Sequence, residues 1–164
     1  MKKIYLTLSL VIMMFVPSIT FGNVIDKLNE AGKFNKLNET LAKSGLNENL
    51  KGAGPFTVFA PLDDAFAAIS AKTYYGLLRD ENKDKLVNIL GRHVFSKKIT
   101  SSEINGELKL KAINGEEITI KKVNGIVYIN EAEVVTADVE VSNGVIHYIN
   151  SCLLYTSDAA DEFM

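Results

Sequence analysis

The chain has 164 residues, of which 47% are hydrophobic and 23% charged, with a formal net charge of −2. That length suits one domain around one core, and mild acidity with scattered lysines excludes the basic footprint of a nucleic-acid-binding surface. A lone cysteine, Cys152, excludes a disulfide framework, so stability must come from the core.

Residues 1–22 open with Lys2 and Lys3, continue through an apolar run from Ile4 to Val16, and close on the small residues Thr20 and Gly22. This three-part pattern predicts a secretory signal peptide and export to the periplasm or the extracellular space. An uncleaved membrane anchor is the alternative, but a spanning helix needs about 20 apolar residues, more than this run supplies. No cysteine lies near the predicted cleavage site to accept a lipid.

From Asn23 the first half reads as helices. Asn23 is placed to cap a helix carrying Val24, Ile25 and Leu28, and Phe34, Leu37 and Leu41 recur at helical spacing until Gly45. Gly54 to Phe66 then reads as strand, stop and helix. Phe56 to Ala60 are strand formers apolar on both faces, as in a central strand, with Thr57 and Phe59 opposite Val58. Pro61 ends the ladder, and Asp63 is placed to cap a helix that buries Phe66 and Ile69. Tyr74, Leu77 and Leu78 predict another short helix, and Leu86, Val87, Ile89 and Leu90 a longer one running toward His93.

The second half reads as strands. Asn105-Gly106, Asn114-Gly115, Asn124-Gly125 and Asn143-Gly144 are hairpin-type turn pairs. Between them lie candidate strands over 108–113, 117–123, 126–130, 134–137 and 139–141. After Asn143-Gly144, Val145 to Ile149 form an apolar strand, with His147 on the face of Val145 and Ile149 and therefore buried. Helices in the first half and strands in the second predict an α+β domain, antiparallel sheet against a helical layer.

Chemistry-bearing constellations are thin. His93 and His147 have neither neighbouring cysteines nor ligand spacing, so a structural role is expected and no metal. Asp63 and Asp64 point in different directions at a helix start, which suits capping better than a carboxylate pair for catalysis. With no Gly-x-Ser-x-Gly elbow and no phosphate-cradling loop, no enzyme activity and no cofactor are expected. Tyr74, Tyr75 and Arg79 could form an exposed contact patch, the alternative being that one Tyr packs inward.

The stretches Gly54 to Phe66 and Asn143 to Asn150 resemble the two signature boxes of the fasciclin-type domain, and the resemblance runs from about Asn23 to Ser151. It implies a wedge of β-strands packed with several short helices, over residues 23–151. It also implies a cell-surface adhesion or protein-interaction module whose partner is a surface or matrix protein or a glycan. Gly91-Arg92-His93-Val94 corresponds to the family's Tyr-His adhesion motif, with Arg92 where Tyr is usual, so Arg92 and His93 become candidate contact residues. Leu62 stands where the first box has Thr, and Ser151 where a Gly is usual. In the family the two His positions serve chiefly as buried hydrogen-bonding residues. A second reading is a lipid or small-molecule binder with a cleft lined by Phe34, Leu37, Leu86 and Leu90. Residues 152–164 resemble translated sequencing-adapter DNA and are expected to be a non-native tail.

Overall fold

A computed structural model describes residues 21–154. Residues 1–20 of the predicted signal peptide and 155–164 of the predicted tail lie outside the described residues.

The helical half begins as the sequence predicts. Helix α1 (Val24–Ala31) is capped by Asn23, whose side chain accepts from the Asp26 N–H while Asp26 answers to the Asn23 N–H. Helix α2 (Asn35–Ser44) ends at Gly45 in the left-handed conformation, φ 81°. A third helix not expected from the sequence, α3 (Leu46–Leu50), restarts at once because Leu46 and Leu50, four apart, both reach the core. Strand β1 (Phe56–Pro61) follows, then the one-turn α4 (Asp63–Phe66), α5 (Ala71–Leu77) and α6 (Lys83–Gly91).

Six more strands complete the chain: β2 (Val94–Phe95), β3 (Glu107–Lys111), β4 (Glu117–Val123), β5 (Ile126–Ile129), β6 (Ala132–Val141) and β7 (Gly144–Ile149). Strand β2 has only two residues, too few for any periodicity to register. The two segments expected over 134–141 are one strand interrupted by register shifts between Val134 and Val139, with Asp138 at φ 59°. Asn124-Gly125 closes the β4–β5 hairpin with both residues at positive φ, as predicted. Asn105-Gly106 closes no hairpin, since it joins a 3-10 turn to β3.

The strands form one sheet in the order β2-β1-β7-β6-β5-β4-β3. The expected antiparallel sheet is mixed, because β1 and β7 run parallel from Phe56 opposite Gly144 to Pro61 opposite Ile149. These are the strands of the two signature boxes, apolar on both faces, and burial on both faces is what places a parallel pair at the centre of a sheet. Along them alternate side chains enter two cores. Val58, Ala60 and Ile146 face the helices and meet Val24, Leu28, Leu37 and Leu90. Phe59 and Ile149 face a second core that includes Phe95 near one end of the sheet and Ile118 and Ile120 near the other, so the sheet folds over on itself as a wedge.

Close approach at the head of the β1–β7 pair demands glycine. A Cβ on Gly144, at φ 157°, would sit 1.9 Å from the Phe56 carbonyl oxygen. One on Gly54, at φ 68°, would sit 2.3 Å from that of Asn143. Among the described residues no helix is long and apolar enough to cross a membrane.

Gly144→Ala must push β1 and β7 apart where they first pair, and is expected to cost about 4 kcal/mol or more. Chemical denaturation of the purified domain checks this, and an unchanged midpoint would show that the two strands can separate at little cost.

Candidate functional site

Around the central strands the polar groups of both boxes are turned inward. Asn143 is the clearest case. Its Oδ1 accepts from the Val24 N–H at 3.0 Å, its Nδ2 donates to the carbonyls of Leu50 at 2.7 Å and Gly52 at 2.9 Å, and its own carbonyl accepts from Phe56. One buried amide thus ties the start of α1 and the end of α3 to the head of β7. The sequence suggests Asn143-Gly144 as the turn pair, but the two-residue turn is Ser142-Asn143, since Val141 pairs with Gly144. Asn143 has no positive φ; its amide is used as a cross-link.

Asp63 also differs from expectation. Its own helix, α4, has Leu62 as N-cap and no side-chain cap. The Asp63 carboxylate instead accepts from the Lys36 N–H and from Asn35 Nδ2, both at 2.9 Å, at the start of α2. Phe34, the N-cap residue of α2, offers no side-chain oxygen, so an acid 27 residues downstream of Lys36 supplies both the hydrogen bond and the negative charge favoured there.

His147 is wholly buried and stacks on Phe59 with ring centroids 5.0 Å apart. Its Nδ1 accepts from the Asp138 N–H at 3.2 Å, which leaves Nε2 to donate to the Ile99 carbonyl at 2.7 Å. Thr57, beside it on β1, donates to the Lys97 carbonyl and accepts from the Ile99 N–H. The Asp138 carboxylate accepts from the Ser101 N–H and hydroxyl. Thr57 from β1, His147 from β7 and Asp138 from β6 therefore hold the segment 97–101 across the sheet. Burial opposes the charge of Asp138, yet the Ser101 donors keep its pKa below the ordinary value.

His93 has the opposite tautomer: Nδ1–H donates to the Ile89 carbonyl at 2.9 Å and Nε2 accepts from the Leu153 N–H at 3.0 Å. Burial pushes its pKa down to about 4, and burial lowers that of His147 as well. Arg92, beside His93, is buried too. Its guanidinium engages both Glu116 oxygens, one through Nη2 at 2.9 Å, and Nη1 donates to the Leu154 carbonyl at 2.6 Å. The hydrogen bond from Arg92 holds the Glu116 carboxyl below its usual range. Cys152 is half-buried beside them, its thiol pushed up to about 12 by burial.

Of the five candidate contact residues, three are therefore internal. Arg92 and His93 spend their polar atoms on the chain's own backbone and Glu116. Tyr74 packs against Phe66, donates its hydroxyl to Glu39 and lies 4.3 Å beneath the Lys36 ammonium, and burial raises its pKa. Tyr75, one position along α5 and so rotated off the buried face, is 63% exposed. Arg79 is also exposed and, among the described residues, pairs only with Glu81, at 3.5 Å. Glu39, Glu116 and Asp138 escaped sequence reading because their partners lie 24 to 37 residues away. Among the described residues no group of three or more His, Cys, Asp or Glu could hold a metal. The cleft expected at Phe34, Leu37, Leu86 and Leu90 is packed. A cavity of about 20 Å³ touches Leu86 and Leu90, enough for one water and too small for a lipid.

A mixed wedge-shaped sheet with a helical layer, its two central strands locked by inward polar groups, makes this an α+β domain. The chain belongs to the fasciclin domain family, whose model matches residues 32–155. It is 48% identical to Protein sll1483 of Synechocystis sp. over 122 residues, spanning 74% of this chain and 67% of that protein. It is 35% identical to the transforming growth factor-beta-induced protein ig-h3 of Sus scrofa over 80% of this chain, but spans only 19% of that relative's length. Among solved structures it is similar to a FAS1 domain pair from the insect cell adhesion molecule fasciclin I. That match has a TM-score of 0.73 at 22% identity and covers 85% of this chain and 53% of the other.

Both histidines have pKa values below 6.5 in the folded chain, so the unfolded chain takes up protons first as pH falls. Stability is full above about pH 6.5 and is lost below it, the His93 share reaching about 3 kcal/mol at pH 4. Urea denaturation between pH 7 and 4 measures this slope, and His93→Gln should flatten it. Asp63→Ala is expected to cost about 1–2 kcal/mol and to speed amide exchange at Lys36. Equal exchange in the two proteins would show that Asp63 does not cap α2.

Proposed function

We propose that this chain is an exported adhesion or protein-interaction domain that works at the cell surface without catalysis or cofactor. Membership of the fasciclin domain family carries the reading, together with the signal-peptide pattern of residues 1–22. A relative whose structure is matched is described as a cell adhesion molecule. The partner is a surface or matrix protein or a glycan, and the contact surface includes Tyr75 and Arg79. An exposed aromatic and an exposed arginine are favoured types at recognition sites, and both stand on the surface, Tyr75 with its ring against Tyr74 and Arg79 beside Glu81. Arg92 and His93 lie outside that surface, since their polar atoms are spent on Glu116 and the Ile89 carbonyl.

A bead-adhesion assay with domain-coated beads on bacterial cells and on surfaces coated with matrix protein or glycan tests the reading. The double substitution Tyr75→Ala with Arg79→Glu should lower attachment about tenfold or more while leaving the melting temperature within about 2 °C. Attachment at full strength would remove this surface from the contact.

A further inference from the structure

The seven-stranded sheet ends on β3, which pairs with β4 alone. Its hydrogen-bonding direction is set at both ends, where the Lys122 N–H donates to the Gly106 carbonyl and the Ala112 N–H to that of Glu116, in one register. Bonded and non-bonded positions alternate along an antiparallel pair. Leu108 and Leu110 therefore turn their backbone groups to β4, and Glu107, Lys109 and Lys111 turn theirs outward. Beyond Lys111 the edge is closed, because the Ile113 N–H donates to the Val94 carbonyl of β2, from the sheet's other end. Among the described residues no hydrogen bond reaches the outward groups of 107–111, and such a row is a template for a further strand. We propose that a second copy of this chain pairs with it, β3 against β3 and antiparallel, about a twofold axis at Lys109.

The side chains select this occupant. With Lys109 on the axis, every outward N–H and carbonyl of Glu107, Lys109 and Lys111 meets an outward group of the other copy, and no other register does this. Glu107 then lies opposite Lys111 of the second copy, and symmetry repeats the opposite-charge pair across the axis. Both residues are exposed, and among the described residues neither is in an ion pair. On the other face Leu108 meets Leu110 of the second copy. Both leucines are half-buried and Leu110 packs on the core of Ile118 and Ile120, so pairing extends that core across the axis. An acidic peptide would suit Lys109 and Lys111 but meet a like charge at Glu107, and a basic one would meet two. Lys109 facing its own copy is the like-charge contact that keeps the pairing weak, and so short a strand pair belongs to the transient class of interfaces. The edge is separate from Tyr75 and Arg79, so the pairing stands or falls independently of the adhesion reading.

The test is sedimentation equilibrium of the full mature chain from about 10 µM to about 1 mM, with backbone amide exchange followed in parallel. A monomer–dimer equilibrium is expected. The N–H groups of Glu107, Lys109 and Lys111 should exchange more slowly as concentration rises, while those of Leu108 and Leu110, bonded to β4, stay unchanged. Lys111→Glu should weaken the dimer about tenfold or more, and adding Glu107→Lys to it should restore the affinity to within about threefold. Lys109→Thr removes the like-charge contact and should tighten the dimer about threefold or more. Lys109→Pro should abolish it with circular dichroism and melting unchanged, since that N–H serves no bond to β4. A parent chain that stays monomeric throughout would overturn the proposal. So would a dimer that survives Lys109→Pro, or one that Glu107→Lys fails to restore, since either places the contact on another surface. Tyr75→Ala with Arg79→Glu should leave the dimer intact, which keeps loss of pairing distinct from loss of attachment.

Discussion

Everything in this domain depends on the parallel pairing of β1 with β7. The two strands are 88 residues apart at their first pair, Phe56 with Gly144, and no local turn can bring them together. Once paired, they form the boundary between two hydrophobic cores, one under the helices and one inside the folded sheet. The contact tolerates no side chain at Gly144, because the space is filled by the backbone of Phe56. Burial of both faces then makes every polar group nearby a matter of internal satisfaction.

That demand explains the buried side chains better than chemistry does. No buried side-chain nitrogen or oxygen among the described residues lacks a hydrogen-bond partner. His93 and His147 each use one ring nitrogen to donate and the other to accept, which fixes opposite tautomers and disfavours the imidazolium in both. Asn143 and Asp63 are spent on backbone ends that their own segments leave open. Such groups are costly to remove and of little use to a partner, so the recognition surface has to be sought on exposed residues such as Tyr75, which makes a ring contact with Tyr74.

The same logic separates the Arg92 position from a contact role. An arginine in the interior needs a planar acceptor for its fork, and Glu116 supplies one with a carboxylate on the loop between β3 and β4. The third donor reaches Leu154, so this side chain, together with His93, holds the last described residues against both cores.

By itself the sequence determined what depends on neighbours in the chain: the Asn23 cap, the stop at Gly45, the Asn124-Gly125 hairpin, the burial of His147 and the α+β class. Each follows from spacing, turn geometry or alternation within a dozen residues. Only the tertiary structure decided that β1 and β7 run parallel, that Asp63 caps α2 instead of its own helix, and that Arg92 and Tyr74 point inward while Tyr75 and Arg79 remain outside. These outcomes rest on partners tens of residues away, and a donor or an apolar face in one segment carries no mark of which distant segment will satisfy it.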